Sequence, residues 1–148
     1  MRSTAQTEPK ATRGMIDYLP TKLPQPLDVT KHADQFTSGI PDVTIAWQGF
    51  TTWLECKMLK SGKSLDSELG DDQLLYCRRL EGATNKRCWV LVWDLRSDPP
   101  VTRILRPSDI VASRRLGTEL VPFMHATGIN HKLVYDLIVR THRFGWDR

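Results

Sequence analysis

The stretch from Pro41 to Met58 constrains the fold of this chain more than any other. Val43, Ile45 and Trp47 alternate with Asp42, Thr44 and Ala46, a period of two that an extended strand satisfies. Gln48-Gly49 then offers a tight turn, because glycine accepts a positive φ cheaply. Phe50-Thr-Thr-Trp-Leu-Glu-Cys-Lys57 reads as the returning strand, so the segment is expected to be a β-hairpin. Further on, Cys88-Trp-Val-Leu-Val-Trp93 is a continuous apolar run, the pattern of a central strand buried on both faces.

Helical signals surround these strands. Asp71 or Asp72 is expected to cap a helix through Leu80, with Leu74, Cys77 and Leu80 at helical spacing and Gly82 as its stop. Asp98-Pro-Pro reads as a turn, Val101 to Leu105 as a strand, and the segment starting at Pro107 as a short helix. Asn130 should cap a helix from His131 to about His142, with Leu133, Leu137 and Ile138 inward. Residues 1–14 are polar and small, with Pro9 and Gly14 as breakers, and are expected to be mobile. A short helix is expected within 5–19, ended by Pro20, and Leu23 to Phe36 reads as a loop or extended crossing segment. The order α-β-β-α-β-β-α predicts a single α/β domain over 1–148, a central mixed sheet flanked by helices.

At 148 residues the chain suits one domain with an adequate core. No apolar run approaches the roughly 20 residues that span a bilayer, and the N-terminus lacks a secretory pattern, so a cytoplasmic location is expected. Cys56, Cys77 and Cys88 match neither a zinc pattern nor a disulfide framework and read as reduced core thiols. The formal charge of +4 is too mild to identify a partner. Its distribution says more, with basic residues at Lys57, Lys60 and Lys63, at Arg78-Arg79 and at Arg140 to Arg148. His32, Lys60, Lys63 and Arg78 are candidates for contact with nucleic-acid phosphates, and Arg140, Arg143 and Arg148 could grip backbone.

The chemistry concentrates in the hairpin. If Gln48-Gly49 is a two-residue turn, Trp47 pairs with Phe50, and counting outward sets Asp42 opposite Glu55 on the same face. Lys57, two residues on, shares that face. Facing carboxylates repel, and a hard divalent cation removes the conflict, because Mg²⁺ binds through one or two carboxylates together with substrate phosphate. Mn²⁺ suits the same oxygens. The main-chain carbonyl of Cys56 could add a ligand while its thiol points to the other face. Lys57 would set a positive charge where negative charge builds during phosphodiester hydrolysis. The competing account is an edge hairpin with incidental surface charges.

Ser38-Gly-Ile-Pro-Asp42, a hydrophobic strand and Trp53-Leu-Glu-Cys-Lys57 together resemble the PD-(D/E)XK nuclease superfamily. The likeness, over roughly residues 38–94, is nearest to VRR-NUC domains and archaeal-type Holliday junction resolvases. It implies a restriction-endonuclease-like core and a Mg²⁺-dependent DNA endonuclease leaving a 5′-phosphate. It further implies selectivity for branched DNA in recombination or repair, and a homodimer able to make paired cuts. It also implies a role for Gln73 at the start of the following helix, and a further metal-ligating glutamate in the first helix. Glu8 is the glutamate upstream of the hairpin, with Asp17 and Asp28 as rivals. A sequence-specific restriction or homing endonuclease, a non-catalytic DNA-binding module and a purely structural protein are the other readings.

Overall fold

The computed structural model describes residues 6–32 and 39–143. Its strands are β1 (Leu27–Lys31), β2 (Val43–Trp47), β3 (Phe50–Leu59), β4 (Cys88–Asp94), β5 (Val101–Leu105) and β6 (Met124–Thr127). Helices α1 (Glu8–Tyr18), α2 (Leu65–Glu68), α3 (Asp71–Ala83), α4 (Pro107–Leu116) and α5 (Lys132–Arg143) complete it. The strands form one six-stranded sheet in sequence order. β3 and β4 are parallel, joined through α2 and α3, and every other neighbouring pair is antiparallel. This is the expected α/β domain with a central mixed sheet. Among the described residues no helix is long and apolar enough to cross a membrane.

Two cores lie on the two faces of the sheet. One joins Met15 and Leu19 to Leu54, Cys56, Trp89, Leu91, Trp93, Leu137 and Ile138, beneath α1 and α5. The other joins Leu59, Leu74, Val90, Val92, Leu105 and Ile110, beneath α3 and α4. Alternate residues of β4 serve alternate cores, which is why that strand is apolar from Cys88 to Trp93. No residue of β1 or β2 enters the second cluster, so that face of the sheet is left for polar groups around β2 and β3.

The hairpin forms as expected, with Trp47 opposite Phe50 and Val43 opposite Leu54. Gln48 and Gly49 take φ of 50° and 83°, the positive pair that a two-residue turn of matching twist requires. Asn130 caps α5, its side chain accepting from the Leu133 N–H at 3.1 Å.

Several expectations need correction. From residue 8 onward the stretch expected to be mobile is α1, with Ala11 and Thr12 buried. Pro9 sits in the first turn, where its missing N–H would be unpaired anyway, and Thr7 caps the helix by accepting from the Lys10 N–H. The helix expected within 5–19 is this α1, and it gives way at Pro20 to a 3₁₀ turn, Leu19–Thr21. The segment from Leu23, read as a loop or extended crossing, contains β1, and a further short helix, α2, lies between β3 and α3. α3 starts from Gly70 rather than an aspartate cap and runs past Gly82 to Ala83. Residues 1–5, Ser38 of the motif and Arg148 lie outside the described residues.

Candidate active site

The site forms where β2 and β3 part. β3 pairs with β2 over Phe50–Leu54 and with β4 over Trp53–Leu59, so beyond Leu54 its β2-side edge is open. The Trp53 N–H bonds toward the β4 side, to the Arg87 carbonyl at 2.8 Å, and the Leu59 carbonyl bonds to the Leu95 N–H. Strand alternation therefore turns the main-chain groups of Cys56 and Met58 to the open edge. Acidic side chains meet them there. Asp42, one step past the Val43–Leu54 pair, accepts from the Cys56 N–H through Oδ2 at 2.8 Å. Glu8, from the first turn of α1, accepts from the Met58 main chain. The Cys56 carbonyl shares this edge, while its thiol is buried in the opposite core beside Thr12.

Glu55 is 1 % exposed, and its Oε1 is buried without a hydrogen-bond partner. Its Oε2 lies 3.4 Å from Lys57 Nζ. Burial first, and then the facing Asp42 carboxylate, push its pKa up to about 9, with Lys57 pulling the other way. Unaided, the folded chain thus keeps Glu55 protonated near neutrality. Glu8 is raised as well, mainly by burial, with Asp42 adding to the rise and Lys57 opposing it. The Cys56 thiol is pushed up by burial, then by Asp42 and Glu55, and is no nucleophile at neutral pH.

The structure thus brings Asp42, Glu55, Lys57 and Glu8 into one electrostatic cluster. The rivals of Glu8 lie elsewhere: Asp17 pairs with Arg13 at 3.3 Å, and Asp28 accepts from Thr30 near the other end of the sheet. Gln73 uses its carboxamide oxygen at its own helix start, accepting from the Gly70 N–H at 3.3 Å. Gly39 carries the approach to Asp42 past α3 at a φ of 90°, where an added Cβ would lie 2.9 Å from the Asp72 carbonyl. Lys60 and Lys63 are exposed, and Arg78 is held 3.8 Å from Glu81 on α3. His32 borders the site, its N–H donating to the Asp42 carbonyl at 2.7 Å. Thr44 also belongs to this face, and its position two residues from Asp42 and opposite Trp53 is the sequence signal for it.

The donor set fits a hard divalent cation. All candidate ligands are oxygens, and the orphaned Glu55 Oε1 is a buried acceptor that a cation would satisfy. Among the described residues no group of three or more His, Cys, Asp or Glu side chains is arranged to hold a metal ion by itself. Water and substrate oxygens would complete the shell.

No protein-family profile matches the chain, and no curated protein is a detectable relative. Among solved structures it is similar to Hjc, a Holliday junction resolvase from Archaeoglobus fulgidus, with a TM-score of 0.49 and 13 % identity. The match covers 70 % of this chain and 75 % of that one. At that distance the chain's own residues have to carry any statement of function.

Proposed function

We propose that this chain is a divalent-metal-dependent endonuclease that hydrolyses phosphodiester bonds in DNA, with water as nucleophile. One observation carries the reading: Glu55 is buried, has an orphaned oxygen, faces Asp42, and sits 3.4 Å from Lys57 at the open edge of β3. A carboxyl group kept out of water against a second one weakens a fold, and a cation bridging to phosphate reverses that cost.

Asp42, Glu55 and the Cys56 carbonyl would hold the ion, with Glu8 as a further carboxylate. Mg²⁺ or Mn²⁺ bound there would polarise the phosphoryl group and lower the pKa of a water. Lys57 sets its ammonium beside Glu55, close to where charge grows on the phosphate oxygens. Burial of Glu55 excludes bulk water and strengthens each of these interactions. Gln73 enters as an organiser of the first turn of α3, which flanks the approach to Asp42. Branched DNA as substrate and a homodimer as working unit rest on the motif's resemblance to junction resolvases.

Incubation with supercoiled plasmid and with a synthetic four-way junction, under Mg²⁺, Mn²⁺ or chelator, tests the proposal. Cutting that needs the ion and favours the junction is expected. A gel shift without cutting under either ion would identify a binding module instead, and neither shift nor cutting would leave a structural protein.

A further inference from the structure

The geometry points to His32 as a phosphate-positioning residue of the site, donating through Nδ1 to a phosphodiester oxygen of the bound strand. The inference rests on the nucleic-acid reading for the identity of its ligand. The β1–β2 ladder runs to Lys31 opposite Val43, and the hydrogen bond from the His32 N–H to the Asp42 carbonyl, 2.7 Å, continues it by one step. His32 therefore stands across from Asp42, as Asp42 stands one step past the Val43–Leu54 pair beside Glu55. Imidazole, carboxylate and carboxyl form a row across three adjacent strands, all on the face that carries Lys57.

The ring is also fixed in place. His32 Nε2 lies 2.9 Å from Thr44 Oγ1, and the ring stacks on Trp53 with centroids 5.7 Å apart and planes 16° from parallel. Thr44 and Trp53 are themselves cross-strand partners, so one pair of residues sets both the tilt and the rotation of the imidazole. A Thr44 hydroxyl that donates to Nε2 leaves the proton on Nδ1. Among the described residues Nδ1 has no partner. A half-buried donor held this firmly beside the site is poised for an acceptor, and the anionic oxygen of a strand entering the site supplies one. His32 would thereby set the strand's position relative to Asp42 without taking part in bond cleavage.

Side-chain length separates this role from a structural one. Asparagine carries its amide close to the place of Nδ1, and glutamine carries its amide close to that of Nε2. His32→Asn thus keeps a donor toward the strand and loses the link to Thr44; His32→Gln does the reverse. Binding of a labelled duplex and of a four-way junction is measured with chelator present, so that affinity is read whether or not the chain cuts. KM and kcat are then measured with Mg²⁺. His32→Ala and His32→Gln should weaken binding and raise KM about tenfold, the size of one lost hydrogen bond to a charged group, with kcat within about twofold. His32→Asn should stay within about threefold of the parent. His32→Gln matching the parent while His32→Asn fails would assign His32 to packing alone and overturn the inference, as would three parent-like variants. Should His32→Ala not fold, the Asn–Gln contrast still decides. A parent that binds DNA with this variant order but never cuts would refute the nuclease reading and leave His32 in its role. A parent that neither binds nor cuts would overturn both.

Discussion

β3 has two ends, and each is paired along one edge only. At Phe50–Thr52 the partner is β2 and the β4 side is open; at Glu55–Leu59 the partner is β4 and the β2 side is open. The chain covers the first opening itself. The Arg87 guanidinium lies 4.1 Å over the Phe50 ring and donates to the Thr141 carbonyl, and His142 Nε2 lies 2.9 Å from the Trp47 carbonyl. Arg87 keeps two buried nitrogens without hydrogen-bond partners, yet an aromatic face and a helix end offset its charge. The second opening is filled by the carboxyl groups of Asp42, Glu8 and Glu55, with Lys57 beside them. An unpaired edge compensated from within is architecture. One filled with crowded carboxyl groups is open to something from outside.

The contrast can be broken at the point where the halves meet. Leu54, paired on both edges and fully buried, should lose about 2–5 kcal/mol of stability on mutation to alanine, read by urea unfolding, with specific activity kept in the folded fraction. Asp42→Ala and Glu55→Gln should instead cut the cleavage rate roughly 10²–10³-fold. Glu55→Gln should at the same time stabilise the metal-free protein by roughly 1–3 kcal/mol at pH 8, because it removes a carboxyl buried against its own kind. Loss of stability in that variant would place Glu55 with Arg87 as architecture.

The pH dependence sharpens the same point. Glu55 has a folded pKa of about 9 against an ordinary 4.5, so below 4.5 both states hold the proton and its contribution is full. As pH rises from there to about 9, the unfolded chain releases a proton that the folded chain keeps, and stability falls. Glu8 acts in the same direction. Asp94, held well below the usual carboxylate range by its bonds to Arg96, has the opposite sign but acts only in acid. Urea midpoints of metal-free protein should therefore decline from pH 5 to pH 9, and Glu55→Gln should flatten the slope. Gly39→Ala should cost about 1–2 kcal/mol through its left-handed backbone, and lower the cleavage rate by shifting Asp42. Phe50→Ala, at the compensated end, should cost about 1 kcal/mol and leave cleavage within about twofold.

The placement of Asp42, Glu55 and Lys57 was legible in the sequence because two short-range rules suffice. Strand alternation puts residues two apart on one face, and a two-residue turn fixes the register. Glu8 was reachable only through resemblance, since its proximity depends on how α1 packs across the sheet. A proline beside it looked like a helix breaker, although the first turn tolerates one. β1 and β6 were hidden for another reason. Both are edge strands, short and half-polar, as edges exposed to water tend to be. The tie between His32 and Asp42 was hidden with β1, because cross-strand neighbours cannot be counted without knowing that the strand exists.

The bond from the Cys56 N–H to Asp42 Oδ2 has a thermodynamic consequence. It commits one Asp42 oxygen to the chain itself, so the chain presents a half-built socket rather than a cage. Ion and nucleic acid would have to finish it together. Linkage then requires each to tighten the other's binding by the same factor, so the free ion should bind weakly until a strand arrives.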